Sequence, residues 1–223
     1  MSLKRWMPAI GDRPVSDIHE ADVLAFINEL LKGRTNGRTE ADHLVGVVRN
    51  VFTWAKKQHD PALHSLVNPA LDIASRTKVK ARDRVLTHAE IRKFWSACDQ
   101  VGWPGGPIMK LHLLTAQRVN EVAQMRWSEL DLTNRVWNLP AERAKNSRAH
   151  IVHLSDFAME IIEGLPQINR SPLVFTMNGR QSFTNLDNLK RQHLDRLMGD
   201  MPHWQIRDLR RTATTLMAEI GIA

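Results

Sequence analysis

A short basic segment without hydrophobic periodicity divides this chain into two parts of different character. It runs from Arg76 to Arg84 and carries five cations and one acid, Asp83. Before it, apolar residues recur at helical spacing only, whereas after it helical and alternating patterns are mixed. The segment therefore predicts a domain boundary near residue 80. It is either a solvated linker or a basic strap that lies along a phosphate backbone.

The first part of the chain shows helical spacing and no strand pattern. Ser16 or Asp17 can cap a first helix that runs to about Lys32 and ends at Gly33. A second helix follows a polar turn and reaches Ala55, because its apolar residues recur three and four positions apart. Helices without strands predict a small bundle, an architecture that by itself indicates no function.

The second part combines helices with short strands. Thr87 and Glu90 form a capping box that predicts the start of a helix. Apolar spacing predicts helices at Ile108–Thr115, Val119–Met125, Thr184–Met198 and Asp208–Ile220, and Ser155 is expected to cap a further one. Alternation predicts two paired strands, Arg135–Leu139 and Ala149–Leu154, joined by a turn at Ala144–Arg148, and Leu173–Phe175 is expected to be a further short strand. The expected fold class is mainly α, with a small antiparallel β-sheet in the second domain.

Composition narrows the class of protein. The net charge of +7 favours an anionic partner, and residues 78–223 hold most of the excess, with 21 Lys and Arg against 15 Asp and Glu. No apolar run approaches the roughly 20 residues of a membrane span, and no secretory signal opens the chain. We therefore expect a cytoplasmic protein without a membrane partner. The single cysteine, Cys98, excludes an internal disulfide and a cysteine zinc cluster.

Common catalytic motifs are missing from the sequence. It contains no P-loop, no H-E-x-x-H zinc motif and no G-x-S-x-G elbow. His150 and His153 would face opposite sides of a strand, so they cannot share a metal ion. Asp131, Glu142 and Lys145 faintly resemble the acid–acid–lysine set of a metal-dependent nuclease, but Glu142 and Lys145 are one residue too far apart. No metal and no cofactor is expected.

Several cations stand where a positive charge is unfavourable. Arg118 joins two apolar helical stretches, and Glu121 is spaced to hold it as an i,i+3 ion pair. Lys145 lies at the tip of the predicted hairpin. The last helix begins with arginines that repel one another and oppose the helix dipole, so Asp208 or a bound phosphate should compensate them. Two arginines and a lysine from separate elements can clamp a phosphodiester transition state, although each alone can also be a salt bridge or a solvated side chain.

The order and spacing of these motifs resemble those of the tyrosine recombinases, specifically the integrases of phages and genomic islands. The matching catalytic-domain motifs are Arg84–Ile91, Leu114–Val122, Met125–Trp127, Arg143–Asn146, His150–Ser155 and Arg207–Thr212. Residues 4–75 resemble the helical core-binding domain of the family. The resemblance implies a core-binding domain at 1–77, a basic linker at 78–85, and an α+β integrase-type catalytic domain at 86–223 that lacks its C-terminal end.

The resemblance also implies roles for individual residues. Arg118 and Arg210 would bind the non-bridging oxygens of the scissile phosphate, and Glu121 would orient Arg118. Lys145 would be the general acid at the 5′-oxygen leaving group and would touch the minor groove. Arg207 occupies the place of the usual histidine; it can bind phosphate but cannot act as a base near neutral pH. Further cations are expected to contact DNA: Lys78, Lys80, Arg82, Arg84, Arg148 and Arg211.

The implied reaction is the attack of a tyrosine on DNA, which gives a 3′-phosphotyrosyl link without a metal ion. The sequence contains seven tryptophans and no tyrosine. We therefore expect the nucleophile beyond Ala223, in an integrase of which this chain is a fragment, or else a degenerate prophage remnant. The implied function is site-specific recombination of double-stranded attachment sites with other integrase protomers, in the bacterial cytoplasm at the nucleoid. The alternative is a DNA-binding regulator that never cuts.

Overall fold

The computed structural model describes residues 11–32, 37–77 and 82–222. The chain divides into two compact units, residues 1–81 and 82–223, each with its own hydrophobic core. The division falls inside the predicted linker at 78–85. None of the helices in the described ranges combines the length and the hydrophobicity that crossing a lipid bilayer requires.

The end of the predicted linker is part of the second unit. Arg82 donates to the buried carboxylate of Asp208 at 2.9 Å, and Arg84 donates to Glu90 in the capping box of the next helix. Both charges therefore have intramolecular carboxylate partners, and the contact of these two residues with DNA stays a prediction.

The first unit is a small helical assembly. Within its described residues the helices are α1 (Glu20–Leu31), α2 (Gly37–Ala55) and α3 (Pro61–His64). Ile27 of α1 and Leu44 of α2 are fully buried in its core. Arg49 of α2 donates to the carbonyl oxygens of Ala70 and Ile73, both at 3.0 Å, so the chain after α3 is held against α2. The ends of α1 and α2 agree with the sequence, and Gly33 lies outside the described residues.

Helix α1 begins later than the sequence predicts. A single 3₁₀ turn precedes it, in which the Ser16 hydroxyl donates to Asp17 at 2.9 Å. The two predicted caps thus bond to each other instead of to the helix. The backbone N–H of His19 donates to the Asp22 carboxylate at 2.8 Å, and this capping contact starts the helix at Glu20.

The second unit is larger and contains a three-stranded antiparallel sheet. Its helices are α4 (His88–Val101), α5 (Gly105–Thr115), α6 (Val119–Ala123), α7 (Asp156–Glu163), α8 (Leu186–Leu189), α9 (Asp195–Met198) and α10 (Ile206–Glu219). Its strands, in sheet order, are β1 (Leu130–Asp131), β2 (Val136–Leu139) and β3 (His150–His153). Trp137 pairs with Val152 and is fully buried in the core with Phe94. The predicted fold class is confirmed.

The predicted strand at Leu173–Phe175 is wrong. A single antiparallel bridge joins Leu173 to Arg126, next to a hydrogen bond of 3.0 Å from the Trp127 amide to the Pro172 carbonyl. The ladder stops there because the partner segment enters a 3₁₀ turn directly after Arg126. The two-residue strand β1, by contrast, is too short to have an alternating pattern of its own.

Several predicted helices have different boundaries, and one of them, α6, ends at Ala123 instead of Met125. The helix expected over Thr184–Met198 begins at Leu186, and a π-helical turn at Lys190–Leu194 separates α8 from α9. The last helix begins at Ile206, because the Asp208 carboxylate accepts the backbone N–H of the residue before the helix at 2.8 Å. Asp208 therefore stabilises the first turn from inside the helix instead of preceding it.

Candidate functional site

Arg118 lies in a sharp connection between α5 and α6. Ala116 has a left-handed backbone conformation, φ 53°, which ends α5 and turns the chain. Arg118 is the N-cap residue of α6, and Glu121 in the first turn accepts the Arg118 backbone N–H at 3.0 Å and its Nη1 at 2.9 Å. The ion pair that the spacing predicts is therefore present, and it holds the guanidinium at the start of α6.

Glu121 also binds the turn between β2 and β3. Its Oε1 accepts the backbone N–H of Lys145 at 3.1 Å. The residue is only 5% exposed, and burial raises its pKa. Hydrogen bonds from Lys145 and Arg118 outweigh this burial and lower the pKa of Glu121 overall. Glu121 is therefore ionised at neutral pH, and its carboxylate binds both Arg118 and the backbone of Lys145.

The β2–β3 turn presents Lys145 to solvent. Arg143 anchors the turn, because it donates to the main-chain carbonyl of Glu121 at 3.0 Å and forms an ion pair of 2.6 Å with the buried Glu129. The Lys145 side chain is exposed, and within the described part of the chain its ammonium group has no partner. Arg148, in the same turn, is likewise exposed. The backbone of the turn is thus held in place, while the side-chain charges of Lys145 and Arg148 have no partner among the described residues.

At the start of α10, Asp208 compensates the cluster of arginines. It is fully buried, accepts two N–H groups at 2.8 and 2.9 Å, from Gln205 and Arg82, and lies 3.7 Å from Arg211. The sequence analysis expected either Asp208 or a bound phosphate to compensate these arginines, and Asp208 does so. Asp208 has no hydrogen bond or ion pair with Arg210 among the described residues.

Arg210 belongs to the same electrostatic cluster as Arg118. Its Nη1 is buried and has no hydrogen-bond partner among the described residues. Burial lowers the pKa of Arg210, repulsion from Arg118 lowers it further, and attraction to Glu121 opposes both. The described residues hold other buried donors of this kind, at Arg84, Trp127, Arg143 and Arg211, but the donor of Arg210 is the one beside the repelling charge of Arg118. Two neighbouring guanidinium groups, one with a free buried N–H donor, form a site for an anion with several oxygens.

His112 connects the two segments that carry these arginines. Its Nδ1 is 2.6 Å from the carbonyl oxygen of Gln117, and its Nε2 is 3.0 Å from that of Ile206, at the start of α10. Burial lowers its pKa, the two hydrogen bonds oppose this, and repulsion from Arg210 lowers the pKa further. Sequence reasoning missed this residue among scattered histidines; its only signal is a polar side chain on the apolar face of α5.

Comparison with known proteins identifies the family. A model of the phage integrase family matches residues 84–223. The chain belongs to this family. The prophage integrase IntZ of Escherichia coli K12 is 30% identical over 161 residues, 70% of this chain and 38% of the relative. The integrase of Shigella phage Sf6 is 25% identical over 178 residues, 78% of this chain and 45% of the relative. The chain thus spans less than half the length of these curated relatives.

Solved structures support the integrase-family assignment at the level of the fold. A lambda integrase dimer bound to a COC′ core site has 18% sequence identity and a TM-score of 0.70, over 98% of this chain and 62% of that chain. The XerH recombinase bound to its difH substrate has 17% identity and a TM-score of 0.64, over 97% of this chain and 66% of that one. The resemblance drawn from the motifs is therefore confirmed.

The remaining predicted site residues of this integrase-family chain lie in different surroundings. Arg207 is exposed and has no partner among the described residues. Lys78 and Lys80 lie outside the described residues. No group of three or more His, Cys, Asp or Glu that could hold a metal ion occurs within the described ranges. Asp131, considered above for a nuclease site, accepts the Asn134 backbone N–H at 2.9 Å.

Proposed function

We propose that this chain binds duplex DNA and holds the phosphate at which a strand is cut during site-specific recombination. The observation that carries the proposal is the buried Nη1 of Arg210, which has no acceptor among the described residues and lies in a cluster with Arg118. A phosphodiester offers two non-bridging oxygens and one negative charge, which suit two planar guanidinium groups in geometry and in charge.

The proposed reaction is a substitution at phosphorus. A tyrosine oxygen attacks the phosphorus atom, the bond to the 5′-oxygen breaks, and a 3′-phosphotyrosyl link and a free 5′-hydroxyl result. Arg118 and Arg210 stabilise the negative charge that develops on the non-bridging oxygens. The sequence contains no tyrosine, so the nucleophile in this proposal comes from outside these 223 residues.

Lys145 is the proposed general acid for the leaving 5′-oxygen. An alkoxide is a poor leaving group unless it receives a proton as the bond breaks, and an ammonium group can supply that proton. The side chain is exposed on a turn whose backbone is bound by Glu121, so the long lysine stem can reach a phosphate at the arginines. Arg207 contributes only charge, because a guanidinium keeps its proton near neutral pH.

The proposed outer DNA contacts lie mainly in the segments that carry Lys145 and Arg210. Arg148 and Arg207 are exposed, and we retain Lys78, Lys80 and Arg211 as further contacts. Arg82 and Arg84 are better explained as supports of the second unit, since each is paired with a carboxylate. Because recombination exchanges strands between two duplexes, the proposal includes further protomers on the DNA. Lambda integrase has been solved as a tetramer bound to a Holliday junction.

Binding to duplex DNA tests the first part of the proposal. We expect fluorescence anisotropy of a labelled duplex to show affinity that falls steeply between 50 and 200 mM salt, because bound phosphates release counterions. Arg118→Gln and Arg210→Gln should each lower the slope of log K against log salt by up to about 0.9, the value for one phosphate. Arg196→Gln, at an exposed arginine of α9, is the matched control. Absent or salt-independent binding contradicts the proposal.

Cleavage tests the second part and separates an integrase from a regulator that never cuts. In a longer protein that supplies the tyrosine, a covalent protein–DNA product should appear on denaturing gels without added metal. Arg118→Ala or Arg210→Ala should reduce its rate about 100- to 1,000-fold, the usual cost of losing one transition-state donor. Undiminished cleavage in either variant would remove that arginine from the site.

A further inference from the structure

A second cationic cleft lies in the second unit, apart from the arginine pair described above. Its volume is about 470 Å³. Its lining includes Arg126, Arg143, Arg180, Gln124, Ser182 and Thr184. Of the described residues that line the cleft, none is Asp or Glu. A concave surface with one sign of charge concentrates ligands of the opposite sign, so this cleft favours anions.

Among the described residues, one of the three arginines has a carboxylate partner. Arg143 forms its ion pair with Glu129 at 2.6 Å, and Glu129 is 7% exposed and accepts the indole N–H of Trp137 at 3.0 Å. That pair supports the β2 strand. Arg126 and Arg180 are exposed, and among the residues that the structure describes neither guanidinium has an ion-pair or hydrogen-bond partner. Two positive charges therefore remain available to a ligand.

The backbone fixes both available arginines at the cleft. Arg126 forms the antiparallel bridge with Leu173. Arg180 lies in a loop that is closed by the fully buried Thr176 hydroxyl, which makes hydrogen bonds of 3.0 and 2.7 Å to two main-chain groups of the loop. The Asn178 side chain accepts the Arg180 backbone N–H at 2.9 Å. Because these hydrogen bonds and the bridge hold the backbone around both arginines, little backbone ordering opposes the binding of an anion.

We propose that this cleft binds a phosphodiester of the DNA backbone other than the one at Arg118 and Arg210. The inference rests on the proposed function. Gln124, which lines the cleft, follows Arg118 by six residues across α6, roughly 9 Å at the rise of a helix. Phosphates of one DNA strand succeed one another about every 3.4 Å along the duplex axis. A duplex anchored at the arginine pair therefore has further phosphates within reach of the cleft.

Salt-dependent DNA binding by the whole chain tests the cleft. The variants are Arg126→Gln, Arg180→Gln and the double variant, with Arg196→Gln as the control at an exposed arginine outside the cleft. If both arginines hold one phosphate, the double variant lowers the salt slope by about 0.9 in total. We also expect the double variant to weaken binding at least tenfold at low salt, and Arg196→Gln to leave both quantities unchanged.

A second measurement distinguishes DNA from free phosphate, which offers the same chemistry. The arginine Nε–Hε signals are followed by NMR during titration with a duplex and, separately, with inorganic phosphate. We expect the duplex to shift the Arg126 and Arg180 signals at near-stoichiometric amounts. A shift with inorganic phosphate alone would assign the cleft to a free anion and overturn the DNA ligand.

The failure of this inference is distinguishable from the failure of the proposed function. If the cleft variants keep the wild-type slope while Arg118→Gln or Arg210→Gln lowers it, the cleft proposal is overturned and the proposed function stands. If the wild-type chain does not bind duplex DNA at all, the proposed function is overturned, and the DNA ligand of the cleft with it.

Discussion

At the scale of single residues, the site depends on one buried carboxylate. Glu121 accepts hydrogen bonds from the backbone and side chain of Arg118 and from the backbone of Lys145. Its charge partly offsets the repulsion between Arg118 and Arg210. The sequence predicted the pairing of Glu121 with Arg118 from their spacing. It could not predict the contact with Lys145, because a hydrogen bond between residues 24 positions apart depends on how the hairpin packs.

Replacing this carboxylate by an amide should weaken the fold in a pH-dependent way. We expect Glu121→Gln to lower the free energy of unfolding by about 1–3 kcal/mol at pH 7, since hydrogen bonds to a buried charged group are lost. The pKa of Glu121 is lowered in the fold, so its contribution is present above the ordinary value of about 4.5 and fades as the pH falls toward the folded pKa. Denaturant unfolding at pH 7 and pH 4 measures the difference in free energy of unfolding between the wild type and Glu121→Gln, and this difference should be smaller at pH 4. Glu142→Gln, at an exposed glutamate of the same turn, should have no comparable effect.

At the scale of elements, local signals decided which predictions succeeded. The start of α4 was predicted because Thr87 and Glu90 carry a complete capping box in four residues, and both of its hydrogen bonds form. The start of α1 was predicted wrongly because Ser16 and Asp17, two good capping residues, bond to each other. Competition between adjacent polar side chains is decided by backbone geometry, which the sequence pattern does not contain.

Helices α5 and α10 are joined by His112, which sequence reasoning did not single out. Both of its ring nitrogens face carbonyl oxygens, so the neutral ring donates to only one of them. We expect His112→Phe to lower the free energy of unfolding by about 1–3 kcal/mol at pH 7, because buried carbonyl groups lose their donor. A lowered histidine pKa means that the unfolded chain binds the proton more readily, so wild-type stability declines as the pH falls below about 6.5.

The gap in stability between wild type and His112→Phe should therefore narrow between pH 7 and pH 5.5 in denaturant unfolding. His193→Phe, at an exposed histidine, serves as the control. A positioning role adds a second expectation: His112→Phe should weaken duplex binding in the same direction as Arg210→Gln, since the Ile206 carbonyl lies in the first turn of the helix that carries Arg210. Loss of stability with unchanged DNA binding would show that His112 is structural only.

At the scale of the whole molecule, the sequence predicted the sign of the net charge. It did not predict which cations form intramolecular ion pairs and which remain unpaired. Composition alone placed the positive excess in residues 78–223. It treated Arg82 and Arg84 like Arg148 and Arg207, because all four are arginines in polar segments. The structure separates them: the first two are paired with Asp208 and Glu90, while the other two are exposed and unpaired among the described residues. Long-range carboxylate partners are a property of the fold, so no local pattern reveals them.

The difference between paired and unpaired arginines predicts opposite consequences for two double substitutions that change the net charge equally. The double variant Arg148→Gln/Arg207→Gln should lower the salt slope of duplex binding by up to about 1.8, two phosphate contacts, and leave thermal stability unchanged. The double variant Arg82→Gln/Arg84→Gln should keep the salt slope and lower the melting temperature, since each loss removes the hydrogen-bonded cation of a buried or half-buried carboxylate. Anisotropy titrations and thermal melts of both variants provide the comparison. Equal salt slopes in the two variants would mean that intramolecular pairing does not decide which cations reach the DNA, and net charge alone would then account for binding.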